Sequence, residues 1–195
     1  MHIIHTTPGF IIKSRPRGES GKLLSIFTRD LGLVLATAQG IRLEKSKLRY
    51  HSQEYSFGEF SFVRGKEFWR LTNADSVRPD LDISRSSLTG RVAFLLCRLL
   101  HGEEAHVELF GHIERSFLFL EDSTDSNKLS AEQMQTLESI IVFRILHLLG
   151  YIGTDKKLDA RIIGEPLSTS LIDEAMKQRT NMNRHINKAL KESHL

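Results

Sequence analysis

The side chains best suited to chemistry in this sequence are the lysines, arginines and aromatic rings that alternate through its first half. Cationic side chains neutralise phosphates and aromatic rings stack on bases, and together these features are typical of proteins that hold single-stranded nucleic acid. Residues 1–80 carry 13 Lys and Arg against 8 Asp and Glu, whereas residues 81–195 carry 14 against 16. This asymmetry predicts an anionic partner for the first part, and the alternative is a solvated surface that is basic without having a partner.

The candidate contacts to nucleic acid are nine cations between residues 13 and 49 and the ring that follows them. They are Lys13, Arg15, Arg17, Lys22, Arg29, Arg42, Lys45, Lys47, Arg49 and Tyr50. We expect most of the other rings in residues 1–80 to fill the interior of a small barrel, because such a barrel has to be packed with side chains. Tyr50 is the ring that we expect on the outside, since it adjoins the basic run.

Catalytic and metal-binding chemistry has no motif in the sequence. The nine histidines lack the HExxH spacing, and His101, His106 and His112 are not spaced to share one helical face. There is no phosphate-binding glycine loop, no dinucleotide fingerprint and no GxSxG elbow. Cys97 is the single cysteine, which excludes an internal disulfide and a four-cysteine zinc site. We therefore expect no catalytic residue, no cofactor and no metal, and a hydrolase that uses histidine and carboxylates is the remaining alternative.

The apolar runs before residue 80 are short, rich in β-branched and aromatic residues and separated by glycine, which is typical of strands. The fourth run changes its inside–outside phase at Gly58-Glu59, as it would at a β-bulge. Short, bent strands with apolar residues on both faces favour a small closed barrel of the OB type. Five strands are predicted, over residues 8–15, 22–29, 33–39, 55–64 and 67–74.

The apolar residues after residue 82 follow helical spacing instead. Ser130 and Gln133 have the spacing of a capping box, and the helix that they open becomes apolar nearly all round by residues 140–149. Two shorter helices are predicted over residues 168–178 and 179–192. The predicted fold class is therefore α+β in two modules, a five-stranded OB-type β-barrel in residues 1–80 and an all-α helical domain in residues 81–195.

A run of motifs in residues 9–46 carries a family resemblance. It consists of a strand from Gly9, a Gly18-Glu19 turn, a Leu-Leu-x-x-Phe-Thr strand over residues 23–28, a Leu-Gly turn at residues 31–32 and a Gly-x-Arg-x-x-x-Ser segment over residues 40–46. In this order the motifs resemble the start of the RecO family, the bacterial recombination mediators.

The helical half adds weaker similarity to the same family. The pattern Arg-x-Leu-x-x-x-Gly-Tyr over residues 144–151 is similar to the end of the family's central helix, although Ile141 stands where the family often has Phe. The basic, serine-containing ending over residues 190–195 is also similar. Many members carry a cysteine zinc module after the Gly-Tyr pair, and residues 152–166 contain no cysteine.

The resemblance implies a protein that works in recombinational DNA repair without an enzymatic step. RecO proteins bind single- and double-stranded DNA, anneal complementary strands, engage the acidic C-terminal tail of single-stranded DNA-binding protein and act with RecR to load RecA. It also implies a cytoplasmic, nucleoid-associated location. An alternative of another class is a protein-interaction adaptor whose barrel docks an acidic peptide tail without binding DNA.

Arg144 is the candidate contact to that partner tail, since it interrupts a helix that is otherwise apolar from residue 140 to 149. A buried arginine is costly unless it is paired, so we expect it to meet a carboxylate of its own fold or to lie at the edge of a groove. At a groove edge it would clamp the terminal carboxylate of a peptide. No apolar run approaches the ~20 residues that span a bilayer, and no signal peptide is visible, so we expect no membrane partner.

Overall fold

The computed structural model describes residues 3–76, 83–125, 129–153 and 159–193. Its contacts divide the chain into two compact units, Met1–Phe110 and Gly111–Leu195. The first unit contains the five strands that the structure describes, and the described elements of the second unit are helical.

Five strands form a closed barrel, which confirms the predicted fold class. The strands are β1 (Ile4–Arg17), β2 (Gly21–Thr28), β3 (Gly32–Ala38), β4 (Phe57–Val63) and β5 (Trp69–Ser76), and the one-turn helix α1 (Leu48–His51) lies between β3 and β4. Around the barrel the order is β1-β2-β3-β5-β4, and every pairing is antiparallel except the short parallel pairing of β3 with β5. The barrel is of the OB type.

Alternate residues of the strands fill the barrel. Leu24 and Ile26 of β2 are fully buried in the core, and so are Phe60 and Phe62 of β4. Residues of one parity in a strand share a face, so this alternation leaves the other parity for the outer surface. The residues of the other parity in β1 and β2 therefore face outward, where α2 packs on part of β1.

The β-bulge predicted at residues 58–59 is wrong. β4 pairs with β1 along its whole length. The bulge is predicted because Tyr55 and Phe57 are odd-numbered whereas Phe60 and Phe62 are even-numbered. Tyr55, however, lies before β4 begins and has a φ of 69°. The register shifts are found instead at residues 11–13 of β1 and at residues 61–62 in the pairing of β4 with β5.

Helices make up the described chain after residue 82. They are α2 (Ile83–Leu99), α3 (Val107–Asp125), α4 (Ala131–Leu148), α5 (Asp159–Gly164) and α6 (Thr169–Glu192). The predicted capping box is confirmed, because Ser130 Oγ accepts from Gln133 N (3.1 Å) and Gln133 Oε1 accepts from Ser130 N (2.9 Å).

The two helices predicted over residues 168–178 and 179–192 are one continuous helix, α6. The stretch around residues 178–179 holds neither glycine nor proline, so nothing in the local sequence ends a helix there. Buried residues continue from Leu171 and Ala175 to Met182 and Ile186, which form one stripe along its length.

The domain boundary at residue 80 stays a prediction. The change from strand to helix falls between Ser76 and Ile83, close to that position. Helix α2, however, packs on β1 and groups with the barrel in the unit Met1–Phe110.

Gly32 is expected to be the glycine of the barrel least tolerant of a side chain. Its φ is +69°, and an added Cβ would collide with the backbone of Glu104. Gly32→Ala should therefore lower the free energy of unfolding by ~2 kcal/mol or more, measured by chemical denaturation, because a steric clash adds to the backbone strain.

Gly18→Ala is the matched control for this measurement. Gly18 has a similar φ of +64°, but nothing lies within 4 Å of an added Cβ. Its substitution should show only the backbone strain of ~1 kcal/mol. Equal losses of stability for the two variants would contradict the close approach of residue 104 to the β2–β3 turn.

Candidate nucleic-acid interface

Three of the predicted contacts lie on β1. Lys13, Arg15 and Arg17 alternate along the strand, so their side chains project from one face. Lys13 lies opposite Ser25 of β2, which adjoins the fully buried Leu24 and has the opposite parity. The three cations therefore belong to the outer face of the barrel.

A β-bulge is what puts them there. Ile11 has the same numerical parity as the three cations but is fully buried in the barrel core. The register of β1 against β2 shifts between Ile11 and Lys13, so Ile12 is the extra residue and the strand changes phase across it. Two hydrogen bonds to the connection between β3 and β4 fix the backbone of Ile11. Its N donates to Ser56 O (3.0 Å) and its O accepts from Tyr55 N (2.8 Å).

The connection between β3 and β4 is anchored on β1 and on the β1–β2 turn, and it carries the other half of the basic run. At its start Arg42 N donates to Ser20 O (3.0 Å). Near its end Glu54 Oε1 accepts from Ser14 N (2.6 Å). The four cations of residues 42–49 are all exposed between these two anchors.

Two exposed apolar side chains accompany these four cations. Tyr50, expected on the outside, has 69% of its surface exposed, and Leu43 has 58%. A ring held in water beside cations is available to stack on a base. We call the exposed or half-buried cations of this region the basic surface; they are Lys13, Arg15, Arg17, Lys22, Arg42, Lys45, Lys47 and Arg49.

Arg29 lies apart from the basic surface. It follows the far end of β2, about 23 Å from Lys22 at the ~3.3 Å rise per residue of a strand. Its guanidinium pairs with Asp30 (2.9 Å). The hydrogen bond from Arg29, with a second from the Thr7 hydroxyl, lowers the pKa of the Asp30 carboxyl. Arg29 therefore forms an ion pair within the β2–β3 turn, and its contact with DNA stays a prediction.

A depression next to Arg17 contains two residues that sequence reasoning left out of the site. The loop between β4 and β5 brings Lys66 and Phe68 to the β1–β2 turn, where they line a depression of about 520 Å³ with Arg17 and Lys22. The Arg17 guanidinium carbon lies 4.3 Å from the centre of the Phe68 ring. The sequence signal for this contact is weak, because it depends on two loops that lie about fifty residues apart and meet only once the barrel closes.

Arg144 lies inside the second unit and only 4% of its surface is exposed. Its Nε donates to Ile162 O, and an Nη donates to Glu165 O (2.6 Å). These carbonyls lie at the C-terminal end of α5, where unpaired carbonyls concentrate partial negative charge.

The expected alternatives for Arg144 are a carboxylate partner or a groove edge, and the structure has a third arrangement. Main-chain carbonyls satisfy the guanidinium, and burial lowers the pKa of Arg144 to about 10. Two N–H groups of the guanidinium donate to these carbonyls, and the side chain is buried rather than at the edge of a groove. The role of Arg144 in tail binding stays a prediction.

His112 is the other buried ionisable group beside Arg144. The two side chains approach to 3.5 Å between an Nη of Arg144 and Nδ1 of His112. Burial, together with the positive charges of Arg144 and Arg115, lowers the pKa of His112 to about 3. The imidazole is therefore neutral at physiological pH, as a ring next to a fixed cation has to be.

The described residues offer neither a metal site nor a membrane-spanning helix. They contain no group of three or more His, Cys, Asp or Glu side chains arranged to hold a metal ion. None of their helices is both long enough and apolar enough to cross a membrane.

Burial raises the pKa of the Cys97 thiol, which disfavours the nucleophilic thiolate.

Comparison with known proteins agrees with the resemblance seen in the motifs. Residues 1–79 match the family described as "Recombination protein O N terminal". A protein named DNA repair protein RecO, from Dehalococcoides mccartyi, is 33% identical over 93 residues, which are 48% of this chain and 37% of that protein.

Other relatives extend the match into the helical half. The DNA repair protein RecO of Gloeothece citriformis is 26% identical over 170 residues, covering 85% of this chain and 57% of the relative. That of Desulfitobacterium hafniense is 29% identical over 157 residues, covering 76% and 52%. The chain thus spans about half the length of the curated relatives that it matches.

His112 should make the protein less stable as the pH falls. Its pKa of about 3 in the folded chain lies below the ordinary value of 6.5, so between these values only the unfolded chain takes up the proton. The free energy of unfolding should be at its full value above pH ~6.5 and fall by up to ~1.4 kcal/mol for each pH unit below it. Chemical denaturation at pH 7 and pH 5 measures the difference. His112→Gln should make the free energy of unfolding nearly equal at the two pH values. If the difference persists in this variant, the proton binds to another group.

Proposed function

We propose that this chain, a relative of the RecO proteins whose residues 1–79 form a domain of the RecO N-terminal type, is a DNA-binding protein of recombinational DNA repair. The observation that carries the proposal is the β-bulge at Ile12, which turns Lys13, Arg15 and Arg17 outward on an OB-type barrel. Barrels of this type bind oligonucleotides on their outer strands and loops.

The charge of the basic surface supports this interpretation. Eight cations lie on β1, the start of β2 and the connection that is anchored beside them, against three exposed acids in and between the same segments, Glu19, Glu44 and Glu54. The Glu54 carboxylate accepts a backbone hydrogen bond from Ser14 N. Such a surface neutralises phosphates and releases counterions, which gives affinity without base-specific contacts. Tyr50 adds an exposed ring that can stack on a base.

The finer function that the family resemblance implies is proposed with it. The protein anneals complementary strands, engages the acidic tail of single-stranded DNA-binding protein, and acts with RecR to promote RecA loading at the nucleoid. A cationic surface promotes annealing by screening two strands at once, which needs no covalent step and no enzyme. Annealing of complementary oligonucleotides, bare and coated with single-stranded DNA-binding protein, tests this function.

An adaptor that docks an acidic peptide tail on the barrel without binding DNA is the second candidate. Leu43 and Tyr50 favour it, because exposed apolar side chains beside cations also suit a peptide that is both acidic and apolar. A salt titration separates the two. DNA binding predicts a steep, linear fall of log affinity with log salt for single-stranded DNA, whereas the adaptor predicts no measurable DNA affinity at low salt.

The four cations of residues 42–49 should contribute to DNA affinity and not to the fold. Replacing Arg42, Lys45, Lys47 and Arg49 with Ala should leave Tm nearly unchanged, because all four are exposed. The slope of log affinity against log salt for single-stranded DNA should become shallower by ~0.7 for each phosphate that the variant no longer neutralises.

A matched variant controls for net charge. Lys177, Arg184, Lys188 and Lys191 are four exposed cations of α6, and their replacement with Ala removes the same charge far along the sequence from the barrel. This variant should keep the wild-type slope. If the slope stays unchanged when residues 42–49 are neutralised, that segment does not belong to the binding surface.

A further inference from the structure

We propose that the depression lined by Arg17, Lys22, Lys66 and Phe68 is a site for one unstacked nucleotide, which makes the barrel prefer single-stranded to double-stranded DNA. This inference rests on the proposed function and adds to it a place for a base. The depression of about 520 Å³ is within the range of roughly 300–1,000 Å³ typical of small-ligand sites.

The platform for the base is the pair formed by Arg17 and Phe68. The guanidinium of Arg17 lies over the Phe68 ring at 4.3 Å from its centre, within the distance of a cation–π contact. Unpaired bases stack on aromatic rings and on the flat faces of arginine guanidinium groups alike. The pair therefore offers a ring and a guanidinium in contact with each other at the depression, and a base can stack on either.

The depression also contains two lysines that suit a phosphate. Lys22 reaches the depression from the start of β2 and Lys66 from the loop between β4 and β5. In the part of the chain that the structure describes, neither lysine forms an ion pair. Two uncommitted ammonium groups that line one depression are suited to an anion.

Glu67 stands beside these cations and is the acid that a phosphate would displace. It pairs with Arg17 at 3.8 Å, and both side chains are substantially exposed, at 44% for Arg17 and 77% for Glu67. Exposed pairs of this kind are weak and are further screened by salt. A nucleotide phosphate can therefore replace the Glu67 carboxylate beside Arg17 at little energetic cost.

The geometry discriminates between single and double strands. A base in a duplex is stacked on both faces and paired at its edge, so it reaches a ring only after costly extrusion. A base in a single strand is free to leave the stack. The phosphates of both forms can use the basic surface, but only the single strand can also use the depression.

The test compares two single-stranded oligonucleotides of equal length and equal phosphate count, oligodeoxythymidine and its abasic analogue. The wild-type protein should bind the thymidine strand at least about fivefold more tightly, as expected for one stacked base. Phe68→Leu should lower this ratio by the factor of about five that one stacked base contributes, leaving only what Tyr50 adds, and should not change the salt dependence of either affinity. The same variant should also bind single and double strands with more similar affinities.

Phe94→Leu is the matched control, because Phe94 is also a ring beside an arginine, with the Arg98 guanidinium carbon 5.9 Å from its centre, but it lies on α2. It should keep the wild-type ratio.

Arg17→Lys is the second test variant, to be used if Phe68→Leu does not fold. It retains the positive charge and removes the flat guanidinium, so it should lower the ratio.

Four outcomes decide the matter. A ratio that falls with Phe68→Leu or Arg17→Lys but not with Phe94→Leu supports the nucleotide site. A wild-type ratio near one, with both strands bound tightly, overturns the nucleotide site and leaves DNA binding standing. A ratio that falls in Phe94→Leu alone overturns it as well, by assigning the stacking to α2. Absence of binding to either strand at low salt overturns the proposed function itself.

Discussion

The β-bulge at Ile12 is the constraint on which the rest of the barrel surface depends. Without the extra residue, Lys13, Arg15 and Arg17 would keep the inward parity of Ile11 and would have to be buried in the apolar core. Burial of three unpaired cations is prohibitive compared with the stability of a small domain. The bulge lets one long strand contribute an apolar half to the core and a cationic half to the surface.

The connection between β3 and β4 holds this bulge in place at the expense of local strain. Tyr55 adopts a φ of 69°, which is unfavourable by ~1 kcal/mol or more for a residue with a side chain. In that conformation Tyr55 N donates a hydrogen bond to Ile11 O, and Ser56 O accepts one from Ile11 N. The same connection carries four exposed cations, so the segment that stabilises the bulge also enlarges the basic surface. Strain and concentrated charge at one place are typical of functional sites, and the packed barrel interior offsets both.

Much of this organisation is predictable from the sequence, and the failures have physical causes. Period-two alternation and glycine turns predict five strands and a closed barrel, and the basic run predicts that the adjoining Tyr50 lies outside, where the structure has it. The predicted bulge falls in β4, whereas the structure has it in β1. The alternation of residues along one strand cannot show which residue lacks a partner on the neighbouring strand. Tyr55 misleads the prediction by lying in a turn rather than in a strand. The contact of Arg17 with Phe68 and the carbonyl partners of Arg144 depend on segments that meet only in the folded chain.

The central claim is that DNA lies on the outer face of β1 and on the connection anchored beside it. Backbone amide NMR of the full chain during titration with oligodeoxythymidine tests it most directly, because it reports every residue without a substitution. The largest shift changes should fall in residues 13–22, 42–50 and 66–68 and should saturate together. Saturable changes confined to the helices of residues 111–193, with β1 unaffected, would contradict it.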